Sequence, residues 1–145
     1  MLKPFRLGIN AKMYFGAAGS TGVPPPELSN VTDVTITLDA AEADVTTRDN
    51  NGFRATIGGL KECTIEFDML YLPDDAGFKA IRTAWLKSEQ IHLAALTGKD
   101  GEGPVGDFAI TGFSRSESLE EAIKYSITAK LSQWEKWQEQ TTTQA

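Results

Sequence analysis

Side chains that could carry chemistry are few in this chain of 145 residues, and they form no recognisable catalytic motif. Cys63 is the single cysteine, and it occupies the apolar side of an alternating run, which favours a small buried residue over a nucleophile. One cysteine excludes an internal disulfide and a multi-cysteine metal site. His92 is the single histidine, and the sequence shows no partner for it, so we interpret it as structural.

Carboxylates are plentiful, but their spacing does not favour acid/base catalysis. Glu66 and Asp68 alternate with apolar residues, a pattern more typical of the solvated side of a strand than of a catalytic pair. Glu120 and Glu121 could contact a cation, although a calcium-binding loop spaces its oxygen ligands more regularly. No nucleophile lies beside a base in a known motif. The sequence therefore predicts no enzyme, no cofactor and no metal.

The overall charge is acidic, with a formal net charge of −6 and a pI near 4.8. Such a surface disfavours the holding of nucleic-acid phosphates, but it is compatible with a surface past which DNA slides without adhering. No apolar run approaches the length of a membrane span, and the first residues show no cleavable leader pattern. We therefore expect a soluble, intracellular product with no membrane partner.

Alternating apolar and polar residues predict a series of strands, of which the run Ile123 to Leu131 is the clearest. One helix follows Pro73, with Asp74 as its N-cap and with Phe78, Ile81 and Trp85 on its apolar side. The predicted fold is mainly β: an antiparallel β-sandwich or partly closed barrel of six to eight strands, one flanking helix and a long inter-strand arm. The strands are predicted at residues 8–15, 31–38, 53–57, 61–72, 90–97, 107–114 and 123–131.

The length fits a single domain, which we place at residues 1–132. Two exposed loops are predicted inside it, a proline-rich loop at 16–30 and a polar arm at 39–52. Gly58 and Gly59 mark a position where the strand either turns or bulges. A polar C-terminal tail is predicted at 133–145, and its Trp134 and Trp137 either fold back onto the domain or dock on a neighbour.

Three stretches together resemble a known family. They are EADVTTRDNNGFRATIGGLKECTIEF from Glu42, a single amphipathic helix, and FSRSESLEEAIKYSITAKL from Phe113. From about Gly8 to Leu131 the chain resembles the major tail tube proteins of long-tailed (siphophage-type) bacteriophages and prophages. The most specific parts of the resemblance are residues 42–48, 53–55 and 114–117.

The resemblance implies a structural virion protein that forms hexameric rings, stacked into a hollow tail tube through which phage DNA passes without specific binding. It implies as partners other copies of the chain, a tape-measure protein, and tail-tip (initiator) and tail terminator proteins, with assembly in the bacterial host cytoplasm. The charged residues of the similar stretches are candidates for subunit contacts, and two acids of the central strand are candidates for the lumen. The interface candidates are Glu42, Asp44, Arg48, Arg54, Arg115 and Glu117, and the lumen candidates are Glu66 and Asp68.

Other functions remain open at the level of sequence. The same architecture is similar to the tubes of contractile tails and of type VI-like injection systems. A monomeric carbohydrate- or ligand-binding β-sandwich would place its tryptophans on a concave face. A small hydrolase would require a pocket of clustered carboxylates.

Overall fold

A computed structural model describes residues 5–140, in which six strands and one α-helix are connected by turns and two short 3₁₀ segments. The elements are β1 (Lys12–Ala17), β2 (Val31–Asp44), β3 (Thr56–Leu70), α1 (Ala76–Leu86), β4 (Gln90–Leu96), β5 (Gly103–Ser116) and β6 (Lys124–Gln138). β1, β2, β3 and β4 are each followed by a turn that contains glycine, proline or aspartate, of the kind that ends an extended run.

The six described strands form one unclosed antiparallel sheet in the order β1-β4-β5-β6-β3-β2. Strands β4, β5 and β6 form a consecutive meander, whereas β1 joins β4 at one edge and the β2–β3 hairpin joins β6 at the other. The prediction of a mainly β antiparallel fold with one flanking helix and a long inter-strand arm is confirmed.

The core lies between α1 and one side of the sheet. Phe78 and Ile81 of α1 are buried in one cluster with Phe108 and Ile127 of the central strands. Phe78 also packs against Tyr125, with ring centroids 4.7 Å apart. Burial of this apolar surface is the main stabilisation of the sheet, because the hydrophobic contribution scales with the area removed from water.

Two details of the helix differ from the sequence prediction. The N-cap is Asp75 rather than Asp74, because the Asp75 carboxylate accepts a 2.9 Å hydrogen bond from the backbone N–H of Phe78. Trp85 is 44% exposed instead of packed on the core. The helix ends at Leu86, so Trp85 lies in its last turn.

Several strand ends also differ from the prediction. Gly8 to Asn10 form a 3₁₀ turn rather than the start of β1, because the amide of Ala11 donates to the carbonyl of Gly8 at 3.0 Å. β3 continues through Gly58 and Gly59, where the ladder with β2 shifts register. Of the two possibilities at these glycines, the structure has the bulge.

The predicted exposed loop and tail are partly built into the domain. Pro24 and Leu28 of the 16–30 loop are buried. β6 runs to Gln138, so residues 133–138 of the predicted tail pair with β5, and Trp134 and Trp137 lie on this strand. Residues 141–145 of that tail lie outside the described residues.

Candidate functional site

The β2–β3 hairpin extends far beyond the rest of the sheet. β3 pairs with β6 only from Thr64 onward, whereas its earlier residues pair with β2 alone. We call residues 39–62 the arm. The sequence predicted a polar loop at 39–52, but residues 39–44 belong to β2, because backbone ladder bonds form an extended pair even where side chains are not buried.

Large apolar side chains on the arm are exposed. Phe53 is 73% and Leu60 is 86% exposed, and Val45 and Ile57 are about half exposed. Val45 is the one large apolar residue between Asp44 and Gly52. The exposure of the other three was not predicted, although an isolated phenylalanine after a polar turn was an available signal. Exposed apolar residues grouped on one projecting element are typical of a contact surface.

The tip of the arm is organised by its own hydrogen bonds. The Asp44 carboxylate accepts from both the hydroxyl and the amide of Thr46, and the Thr46 hydroxyl accepts from the amide of Ala55 at 2.9 Å. These bonds, led by the one from the Thr46 hydroxyl, hold the pKa of Asp44 below its ordinary value. The carboxamide of Asn50 donates to the carbonyl of Phe53 at 2.9 Å and closes the turn.

The predicted interface residues are placed at two opposite ends of the molecule. Glu42, Asp44, Arg48 and Arg54 are exposed on the arm, and neither arginine forms an ion pair within residues 5–140. Arg115 and Glu117 lie at the far end of β5, and their ion pair measures 3.2 Å between Nε and Oε1.

The Arg115 end of the sheet is thus separated from the arm by the length of β3. Arg115 pairs with Tyr125, which in turn pairs with Met69 near the end of β3. Because β3 has 15 residues, the two ends are roughly 46 Å apart along the strand. The hydrogen bond that Arg115 donates to the Tyr125 hydroxyl, followed by the charge of Glu117, raises the pKa of Arg115.

The two lumen candidates lie together on the side of the sheet opposite the core. Glu66 is a direct partner of Thr35 on β2 and Thr128 on β6, and Asp68 accepts a 2.8 Å hydrogen bond from the Ser126 hydroxyl. Alternation along the paired strands brings three further acids to the same side. We call this surface the acidic face; its carboxylates are Asp33, Asp39, Glu62, Glu66 and Asp68.

Lysines only partly balance the acidic face. Lys124 and Lys130 of β6 share this side of the sheet, and the ammonium of Lys124 lies 3.9 Å from the Asp68 carboxylate. Glu66 and Asp68 are the lumen candidates named from the sequence, and the acidic run from Asp33 to Asp49, a further source of lumen acids in the sequence, includes Asp33 and Asp39. Glu62 was missed, although its position four residues before Glu66 predicts the same side of a strand.

The apolar side of β2 is incompletely covered. Val34, Ile36 and Leu38 lie opposite the buried Phe67, Ile65 and Cys63 and so point toward the core side, yet they are between 36% and 51% exposed. They line a groove together with Ile9 and Trp137. Trp137 donates its indole N–H to Glu102 at 3.2 Å, so this tryptophan lies on its own subunit while part of its ring remains accessible.

Within residues 5–140 the single thiol is buried and the potential metal ligands do not cluster. Cys63 is buried, as its position on the apolar side of β3 predicts, and burial raises the pKa of its thiol. No cluster of three or more potential metal ligands occurs in the described part of the chain. None of the helices there has the length and apolarity needed to span a membrane.

Comparison with known proteins gives a family and a fold. The phage tail tube protein family matches residues 25–132. The solved tail of an empty gene transfer agent (GTA) particle, refined with C6 symmetry, matches with a TM-score of 0.74 and 18% identity over 88% of this chain and 95% of that chain. The virion of a native GTA particle matches with a TM-score of 0.72 and 16% identity over 88% of this chain and 95% of that chain. No curated protein matches the chain.

A third solved structure, the SPP1 tail tube, matches with a TM-score of 0.67 and 18% identity over 90% of this chain and 80% of that chain. At these identities the structural likeness establishes the fold, and the family match establishes the relationship. Because that match spans residues 25–132 of 145, the chain belongs to the phage tail tube protein family and is a structural component of a virion tail, not an enzyme.

Proposed function

We propose that the chain forms closed six-membered rings that stack into a hollow tail tube. The arm is the observation that carries this proposal. It projects beyond its own sheet, exposes Phe53 and Leu60, and leaves Arg48 and Arg54 without an ion pair in residues 5–140. A second copy of the chain would cover the apolar side chains and supply carboxylates to the arginines.

The placement of the two charged groups supports a head-to-tail contact. The arm and the Arg115–Glu117 pair lie at opposite ends of β3, so one subunit cannot bring its own arm to its own Arg115 end. Contacts between different surfaces produce closed rings or open stacks, which are the two relationships that a tube requires. The C6 symmetry of the matched GTA tail supports six copies in each ring.

The open edge of the sheet supports the same proposal. β2 is an outer strand whose outward row of backbone groups has no strand partner among the described residues, whereas the outer edge of β1 is partly covered by residues 26–28. Exposed edges invite pairing with other chains, and proteins normally cover or close them. A ring would cover the β2 edge of every subunit.

The acidic face is proposed to line the bore. DNA and a carboxylate-rich wall repel each other, so DNA gains no counterion-release energy by adhering to the wall. The basic residues of the helix, Lys79, Arg82 and Lys87, are then placed on the outer wall or between subunits. From the family resemblance we further propose that the tube surrounds a tape-measure protein, starts on a tail-tip initiator, ends at a terminator and is assembled in the host cytoplasm.

Electron microscopy of the concentrated protein, together with light scattering across a dilution series, tests the assembly proposal. We expect rings or tubes at high concentration, and we expect each ring to contain six copies of the chain. Monomer alone across the whole series, with tail-tip initiator proteins added, would contradict it.

A matched pair of variants locates the contact. Phe53→Ser with Leu60→Ser removes the exposed apolar groups of the arm, whereas Leu119→Ser changes a fully exposed leucine in the β5–β6 connection. Both variants should keep the melting temperature of the subunit, because none of these side chains is buried. Only the arm variant should lose rings and tubes.

A further inference from the structure

His92 occupies a buried polar site on the side of β4 that faces away from the helix. Its imidazole is 1% exposed, and its Nδ1 lies 2.9 Å from Oδ1 of Asp107 on β5. Its Nε2 lies 2.8 Å from the carbonyl oxygen of Gly22 and 3.5 Å from Oε2 of Glu135 on β6. Three strands and one loop therefore meet at a single imidazole.

The hydrogen-bond partners determine how many protons this imidazole carries. A carbonyl oxygen can only accept, so Nε2 must hold a hydrogen to bond with Gly22. The Asp107 carboxylate also accepts, so Nδ1 must hold a second hydrogen. With the Asp107 carboxylate ionised, the two hydrogen bonds form together only when the ring carries both hydrogens, as an imidazolium cation.

The charges around the ring agree with this proton count. Asp107 and Glu135 bring two carboxylates to one imidazolium, and no described lysine or arginine pairs with either of them. β1 presents Gly16 opposite His92 and adds no titratable group. Oε2 of Glu135 is buried without a hydrogen-bond donor in the described chain, so the nearby imidazolium is the charge that compensates it.

The same carboxylates hold a segment that we call the proline loop (residues 18–26). The amide of Gly19 donates to Asp107 at 3.1 Å, and the amide of Gly22 donates to Oε1 of Glu135 at 2.6 Å. Both glycines have positive φ, 86° and 73°, which suits residues without a side chain. The loop contains no titratable side chain of its own.

We propose that His92, Asp107 and Glu135 form a pH-sensitive latch that holds the proline loop against β4. Loss of the ring proton removes the hydrogen bond from Nε2 to the Gly22 carbonyl or the bond from Nδ1 to Asp107. It also leaves the carboxylates of Asp107 and Glu135 without a compensating charge. The loop is therefore closed while the ring carries both hydrogens and the carboxylates are ionised, and it opens when rising pH removes one of the ring hydrogens. Protonation of the carboxylates at low pH opens it as well.

Nuclear magnetic resonance of the full chain, at a concentration where it is monomeric, tests the latch without requiring tube assembly. The ¹⁵N shifts of His92 report whether both ring nitrogens carry hydrogens, and amide exchange reports the closure of the loop. After correction for intrinsic exchange, protection of the Gly19 and Gly22 amides should fall about tenfold or more as the ring loses its proton, as expected for loss of a charge-assisted hydrogen bond. The Ile127 amide in β6 should not change.

Two outcomes would overturn the latch. One is an imidazole with a single hydrogen throughout the pH range in which the chain is folded. The other is a ring that titrates while the protection of the Gly19 and Gly22 amides stays constant.

Glu135→Gln and Glu139→Gln provide a matched pair, because Glu139 is exposed beyond the end of β6. The carboxamide introduced by Glu135→Gln retains an oxygen that accepts from Gly22, but the substitution removes one countercharge of the imidazolium. His92 should lose its proton, and the loop should open, at a lower pH in Glu135→Gln than in Glu139→Gln. Identical titrations in the two variants would also overturn the proposal.

Discussion

Asp39 of β2 and Glu62 of β3 are direct cross-strand partners, so two carboxylates face each other at the base of the arm. Like charges in this position repel and destabilise an antiparallel pair. The pair belongs to the acidic face, where each added carboxylate strengthens the repulsion of phosphate. The charges in this part of the sheet therefore suit the proposed bore, although they lower the stability of the free subunit.

Glu62→Lys should stabilise the subunit by about 0.5–1 kcal/mol, because it replaces a repulsive cross-strand pair with an attractive one. Urea unfolding of the monomer measures this change. In the background of Asp39→Asn the gain should be smaller, since the partner charge is gone. An equal gain in both backgrounds would mean that Glu62 does not interact with Asp39.

Charge reversal at Glu66 and Asp68 tests the bore. Both residues are on the acidic face, so Glu66→Lys with Asp68→Lys should still permit tube formation but impair genome delivery, because a basic wall holds phosphates. Glu120→Lys with Glu121→Lys makes the same charge change in an exposed connection and should leave delivery intact. Normal delivery through tubes that carry lysine at 66 and 68 would show that these positions do not line a charge-sensitive channel.

Arg48→Ala should leave the melting temperature of the monomer nearly unchanged, because Arg48 is exposed and forms no ion pair within residues 5–140. Tube growth, followed by light scattering, should be blocked. Lys99→Ala removes an exposed positive charge from the β4–β5 turn and serves as the control. Unfolding of the Arg48→Ala monomer would place this arginine in an intramolecular network instead.

The tip of the arm should loosen in acid. The pKa of Asp44 is below its ordinary value because Thr46 donates to the carboxylate. A carboxyl group with a lowered pKa stabilises the folded form above its unfolded pKa, and this contribution is lost as pH falls through the folded value. The amide shift of Thr46 should follow that loss, whereas in Asp44→Asn it should be independent of pH over the same range.

Asp75→Ala should destabilise the subunit by about 1 kcal/mol, because it removes the N-cap acceptor for the Phe78 amide. Thermal unfolding monitored by circular dichroism measures the effect. Asp74→Ala, one residue earlier and exposed, should have a much smaller effect. A larger destabilisation by Asp74→Ala than by Asp75→Ala would show that Asp74 is the N-cap.

Local patterns in the sequence predicted most of the sheet, because side-chain alternation reports directly which side of a strand is buried. Residues 90–97 and 123–131 correspond to β4 and to the first part of β6 for this reason. The ends were less predictable. β2 continues through Asp44 and β6 through Gln138 because backbone pairing with a neighbour holds polar residues in an extended form, and no local pattern reports that neighbour.

The candidate surfaces, too, were predicted where the signal lies within one strand and missed where it depends on several strands. Glu66 and Asp68 were found from alternation within one strand, and the structure places both on the acidic face. The cluster at His92 was not found, because Asp107 and Glu135 reach it from other strands. Register shifts in the β5–β6 ladder near Asp107 also disturb the alternation that would have indicated which way these carboxylates point.

The strand order has a consequence for synthesis on the ribosome. β1 leaves the exit tunnel early, but its partner β4 begins 78 residues after the start of β1, and the β2–β3 hairpin attaches to the sheet only through β6. Nearly the whole chain must therefore be translated before both edges of the sheet can dock. Contacts between residues so distant in sequence form slowly, so the nascent chain exposes unpaired strands during elongation, when premature association with another chain is most harmful.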